Sequence, residues 1–113
     1  MYYIVQFKKP AKHLVGEQNV DLQKKGGYKH LIDAEIDFLA LCRNKALPED
    51  INYRIDDTKY NESKEFFDRV SGNIYFRSPI KNAYGKYSYD KFTLDEYGAF
   101  LRDKAENPFS QVI

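Results

Sequence analysis

The chain contains no tryptophan, one cysteine and one methionine among its 113 residues. A single thiol cannot close an internal disulfide, so the fold must hold by packing, and such sparing cysteine use suits a reducing compartment. No apolar run approaches the roughly 18 residues that a helical membrane span needs. The N-terminus lacks a basic region followed by an apolar stretch and a small-residue cleavage site, so no signal peptide is expected. These absences point to the cytoplasm and to a protein without a membrane partner.

Charge of one sign is also lacking. Eighteen basic and seventeen acidic side chains leave a formal net charge of +1, whereas a dedicated nucleic-acid binder usually shows a clear basic excess. There is no HExxH, no Cys–His metal spacing, no GxSxG and no glycine loop of the kind that cradles phosphate. No cofactor and no metal site are therefore expected. Internal repeats, low-complexity runs and linkers are missing too. The expectation is one domain over residues 1–113, long enough to bury roughly two-thirds of its unfolded surface.

What the chain does have is aromatic residues: ten tyrosines and eight phenylalanines, eight of them between Tyr75 and Phe100. Its charge is unevenly spread. Residues 1–30 hold six basic and two acidic side chains, residues 31–70 six and ten, and residues 71–113 six and five, so a dipolar surface follows if those segments lie apart.

The most legible stretch runs from Asn73 to Asn107. Residues 73–80 and 86–92 are rich in β-branched and aromatic residues and read as two strands. Turn residues at 81–85 join them. Thr93-Leu-Asp-Glu96 fits a capping box, so a helix is predicted over 93–106, stopped by Pro108. Its inner stripe is Leu94, Tyr97, Phe100 or Leu101, and Lys104. Ahead of this unit, residues 2–8 read as a central strand because both faces are largely apolar. The region 11–23 is ambiguous, with a short strand possible from Val20 to Gln23. Residues 24–27, Lys-Lys-Gly-Gly, read as a flexible turn.

Residues 28–46 are predicted to form the longest helix, with Ile32, Ile36 and Leu39 on one stripe and Leu31, Ala34, Phe38, Leu41 and Cys42 widening it. Residues 51–55 read as a strand, and Asp56-Asp57-Thr58 as a turn. Residues 61–71 read as a short helix anchored by Phe66, Phe67 and Val70 and closed by Gly72. The tail 109–113 is apolar enough to dock or to form a last strand. The predicted class is α+β, a partly antiparallel sheet (N-terminal strand, strand near 51–55, hairpin 73–92) packed by helices near 28–46, 61–71 and 93–106.

Three candidates for chemistry stand out. Asp33, Glu35 and Asp37 would share one face of a strand and could then hold Mg²⁺ for a nuclease-type reaction. On a helix they spread, only Asp33 and Asp37 stay neighbours, and they read as a solvated face. The helix is the expectation. His13 and His30 with a lysine could run acid–base cleavage of RNA, but nothing in their spacing requires it. Cys42 reads as a small buried hydrophobe.

The interleaved basic and aromatic residues from Tyr75 to Phe92 make the best binding candidate. Side chains alternate between faces, so some of Tyr75, Arg77, Tyr84, Lys86, Tyr87 and Tyr89 face solvent unless both sheet faces are covered. Tyrosine and arginine are enriched at interface hot spots. By elimination, the expected function is a small non-catalytic interaction protein that binds a protein partner through this surface. It would be of inhibitor, immunity or accessory-subunit type. The alternatives are a single-stranded RNA- or DNA-binding module, since such sheets also stack bases, and, third, a small metal-dependent nuclease.

Overall fold

The computed structural model describes residues 1–8, 20–58 and 62–106, and at 62–64, 78–80, 87 and 106 it describes the backbone alone. His13 and the tail 109–113 lie outside the described residues. The elements in chain order are β1 (Tyr2–Lys8), β2 (Val20–Tyr28), α1 (Leu31–Cys42), β3 (Ile51–Asp57), β4 (Glu62–Asp68), β5 (Asn73–Lys81), β6 (Tyr87–Thr93) and α2 (Leu94–Glu106). The six strands form one sheet in the order β2-β1-β3-β4-β5-β6, and every described pairing is antiparallel. The α+β class is as expected.

Both helices share one core with one face of the sheet. Ile4, Tyr53, Ile55, Phe67 and Ile74 meet Ala34, Phe38, Leu39 and Cys42 of α1 and Tyr97 and Leu101 of α2. The register follows from this burial. Ile4 lies opposite Ile55, and Ile55 opposite Glu65. A slip of one residue would turn each of these side chains to the other face.

Four sequence expectations are corrected. Residues 62–68 form a strand, not a helix. A strand sends Phe66 and Phe67 to opposite faces, and each finds a partner there: Phe67 joins the core, and Phe66 stacks on Tyr75. Pairing with β3 and β5 outweighs a weak helix propensity. Val70, read as an anchor, is exposed. Gly72 does adopt the left-handed conformation, at φ 75°, but closes the β4–β5 turn by donating its N–H to the Asp68 carbonyl at 2.8 Å.

The second correction is at residues 24–27, which lie inside β2. Tyr2 faces Tyr28 while Tyr3 faces Gly26, so Gly27 is the extra residue of a bulge, at φ 77°. A Cβ on Gly26 would sit 2.7 Å from the Tyr2 carbonyl oxygen, which explains the glycine there. Third, α1 is shorter than predicted, because Tyr28 is taken into β2, and α2 at 13 residues exceeds it at 12. Its buried face is Ala34, Glu35, Phe38, Leu39 and Cys42, rotated from the predicted stripe so that Ile36 is 50% exposed. Fourth, Asp56 and Asp57 continue β3 instead of turning.

The predicted capping box is present. The Glu96 N–H donates to Thr93 Oγ1 at 3.1 Å, and the Thr93 N–H donates to Glu96 Oε1 at 2.9 Å. These bonds hold the Glu96 carboxyl below its ordinary range. Thr93→Ala is expected to lower stability by about 1 kcal/mol. An unchanged urea midpoint would show that the cap contributes nothing.

Candidate functional site

The sheet face opposite the helices carries a row of rings and charges. Alternation along β4, β5 and β6 places Phe66, Tyr75, Arg77, Tyr89 and Lys91 on it, with Tyr75 opposite Lys91 and Arg77 opposite Tyr89. Phe66 and Tyr75 stack with centroids 5.0 Å apart and planes 16° from parallel. Tyr89 meets the Phe66 ring edge-on at 5.6 Å. Such ring pairs add about 0.5–1.5 kcal/mol beyond their area, so the row is a preformed surface.

On the same face Arg54 continues the row. Its guanidinium lies 5.3 Å from the Phe7 ring. Nη1 and Nη2 donate to the two Asp21 carboxylate oxygens at 2.8 and 2.9 Å, and Nε donates to Asp56 at 2.9 Å. The bidentate fork ties β3 to β2 across β1. It holds Asp21 below the usual carboxylate range and raises Arg54 still further. Arg54 is thus satisfied within the fold.

The six residues singled out from the sequence divide as follows. Tyr75, Arg77 and Tyr89 come together on the face opposite α1 and α2; Tyr75 and Arg77 are half-buried and Tyr89 is 51% exposed. Tyr84 and Lys86 sit at the exposed tip of the β5–β6 hairpin, Tyr84 at 88%. The Tyr87 side chain lies outside the described ones. The tip is well built. Asn82 Oδ1 accepts the backbone N–H groups of Tyr84 at 2.9 Å and Lys86 at 3.1 Å, Asn82 N–H donates to the Lys86 carbonyl at 2.7 Å, and Gly85 takes φ 74°. Phe66 was missed as a member of this surface because residues 61–71 read as a helix. Arg54 was missed because only the register reveals its partners.

A second constellation lies in the core. Glu35 of α1 and Glu65 of β4 are both 0% exposed. The hydroxyl of Tyr97 lies 3.2 Å from Glu35 Oε2 and makes a short bond with Glu65 Oε1. Lys104 Nζ donates to Glu35 Oε1 at 3.1 Å. Burial pushes the Glu65 carboxyl well above its usual range, and the negative charge of Glu35 beside it adds to the rise. Among the described residues Glu65 Oε2 is buried without a hydrogen-bond partner, and an oxygen left bare in this way is better tolerated on a neutral acid than on a carboxylate. A neutral Glu65 beside the Glu35–Lys104 pair leaves the cluster without net charge, as burial demands. The expectation that Asp33, Glu35 and Asp37 form a solvated face is corrected on this point: they lie on a helix, but Glu35 points into the core. Asp37 accepts from the Tyr28 hydroxyl at 2.6 Å; burial first, and then this bond, raise the phenol to about 12.

A buried acid that keeps its proton can serve acid–base chemistry, but a substrate must reach it. The groove of about 670 Å³ beside the start of α2 is lined by Cys42, Arg43, Phe67, Arg69 and Thr93, among others, and not by Glu35 or Glu65. The pair therefore reads as a polar lock joining α1, β4 and α2. Cys42 is buried and its thiol is pushed up by burial, the setting of a structural thiol that packs as a small hydrophobe. Among the described residues no cluster of three or more His, Cys, Asp or Glu side chains could hold a metal ion, and no helix is long and apolar enough to cross a membrane. No known family, curated protein or solved structure matches the chain.

Proposed function

We propose that this is a non-catalytic interaction protein of inhibitor, immunity or accessory-subunit type, acting in the cytoplasm. It binds a protein partner through the face of β4–β6 opposite the two described helices and through the tip of the β5–β6 hairpin. The observation that carries this reading is the joint presentation of Tyr89 at 51% and Tyr84 at 88% exposure, flanked by Lys86 and Lys91. Large rings held on ordered backbone lose little conformational entropy on contact, which is why tyrosines anchor interfaces. The lysines around them steer an acidic partner and speed its approach. The enclosed acid pair supports the same reading, because it offers no access to a substrate.

The test is capture of partners from extract on the tagged chain, followed by titration of the purified pair. Tyr84→Ala or Tyr89→Ala is expected to weaken the complex by about 2 kcal/mol, or roughly 30-fold, with an unchanged unfolding midpoint for Tyr84→Ala. Replacement of Lys86 is expected to slow association and leave dissociation nearly untouched. Wild-type affinity in both tyrosine variants would reject this surface. The same rings, with Arg77 and Lys91, suit the second reading, base stacking. A labelled single-stranded oligonucleotide bound with a steep salt dependence, and lost in Tyr89→Ala, would favour it instead.

A further inference from the structure

The two edges of the sheet are built differently. At β2 the edge is interrupted by register shifts at both ends of its pairing with β1, by Gly26 and Gly27 at positive φ, and by Lys24 and Lys25. Bulges and lysines are the usual means of keeping an edge from pairing. The backbone of β6 has neither bulge nor glycine, and its one lysine, Lys91, follows directly on Asp90. Its seven residues run from Tyr87 to Thr93 without glycine or proline. The register break with β5 falls between Arg77 and Lys81 of the inner strand. Residues 88–91 are exposed, and among the described residues no strand pairs with the outer side of β6.

We propose that β6 pairs antiparallel with β6 of a second copy, joining the two sheets into one across a two-fold axis. An axis normal to the sheet keeps both pairs of helices on the same side. It allows only registers in which facing residues have matching sheet faces. Three such registers pair five or more residues of this strand. One sets Asp90 against its own copy and another sets Lys91 against its own copy; like charges directly opposite are unfavourable. The third sets Tyr89 against Tyr89, Ser88 against Asp90 and Tyr87 against Lys91, with no like charges opposed. It also carries the row of Phe66, Tyr75 and Tyr89 across the axis as one continuous surface. A second copy fits this edge because in that register Asp90 and Lys91 both meet neutral side chains of the other strand, and the dimer goes beyond the partner-binding reading without depending on it.

Sedimentation of the full chain up to high micromolar concentration tests this. The expected result is a reversible species of twice the 13.3 kDa chain mass. Tyr89→Lys and Tyr89→Asp each place like charges face to face and are expected to weaken self-association by roughly tenfold or more. Mixed together they are expected to form a heterodimer, seen by native mass spectrometry, because the facing charges are then opposite. Asp90→Lys faces Ser88 in this register and is expected to leave the dimer intact, as is Tyr84→Ala on the hairpin tip. A wild-type chain that stays monomeric, or a Lys/Asp mixture that does not associate, overturns the proposal. Loss of partner binding in Tyr84→Ala with the dimer retained would separate this inference from the proposed function.

Discussion

Glu65→Gln is expected to remove much of the loss of stability that the protein suffers as pH rises above the ordinary carboxylate range. In the unfolded chain Glu65 ionises near its ordinary value of 4.5, whereas in the fold burial and the Glu35 charge keep it protonated well above that. Between those two values the folded state holds one more proton than the unfolded state. Stability then falls by about 1.4 kcal/mol for each pH unit from this group. The contribution is whole below the unfolded value and is lost as pH climbs toward the folded one. Glutamine is neutral at every pH, close to the same size, and can still accept from the Tyr97 hydroxyl. The variant should match the wild type near pH 4.5 and exceed it progressively above. Urea unfolding at a series of pH values measures the gap. Parallel curves for the two proteins would show that Glu65 ionises normally in the fold. Asp21 and Glu96, held below their ordinary values, work in the opposite sense at acid pH. They are exposed, so their effect is small beside that of a fully buried acid.

Lys104→Met is expected to cost about 3 kcal/mol, because it strips the cation from a carboxylate that has no exposure to water. Methionine preserves the length and apolar stem that pass the Phe100 ring, whose centroid lies 4.6 Å from Lys104 Nζ. Lost packing is therefore a minor part of the cost. The decisive variant is the double one. Glu35→Gln removes the charge that Lys104 neutralises, so Lys104→Met made in that background should cost much less, with a coupling of about 1–3 kcal/mol. Additive effects would mean that Lys104 acts through its stem or another contact, and the lock would have to be redrawn around Tyr97. Both experiments address what holds α1 and α2 to the sheet, and neither bears on the partner surface.

Local chemistry settled part of this structure. The Thr93-x-x-Glu96 box and the alternation of 73–80 and 86–92 depend on neighbours within a few residues, so the hairpin and the helix after it were legible from the chain. The strand at 2–8 was legible for a related reason: apolar residues on both faces suit a strand paired on both sides, as β1 is. The inner stripe of α2, from Tyr97 to Lys104, was also readable from its spacing. Those same residues, with their partners Glu35 and Glu65, were unreadable as a cluster. Glu35, Glu65 and Tyr97 are far apart in the chain, and only the register that sets Glu65 opposite Ile55 and turns it inward brings them together. Residues 62–68 became a strand because β3 and β5 offer backbone partners on both sides, a gain that local propensity does not contain. The glycines at 26 and 27 signal a departure from regular backbone. Whether that departure is a turn or a bulge is decided by the strand lying opposite. The candidate partner surface stands between these cases: alternation grouped Tyr75 with Arg77 and Tyr87 with Tyr89, but the placement of both helices on the other face decided which group meets water.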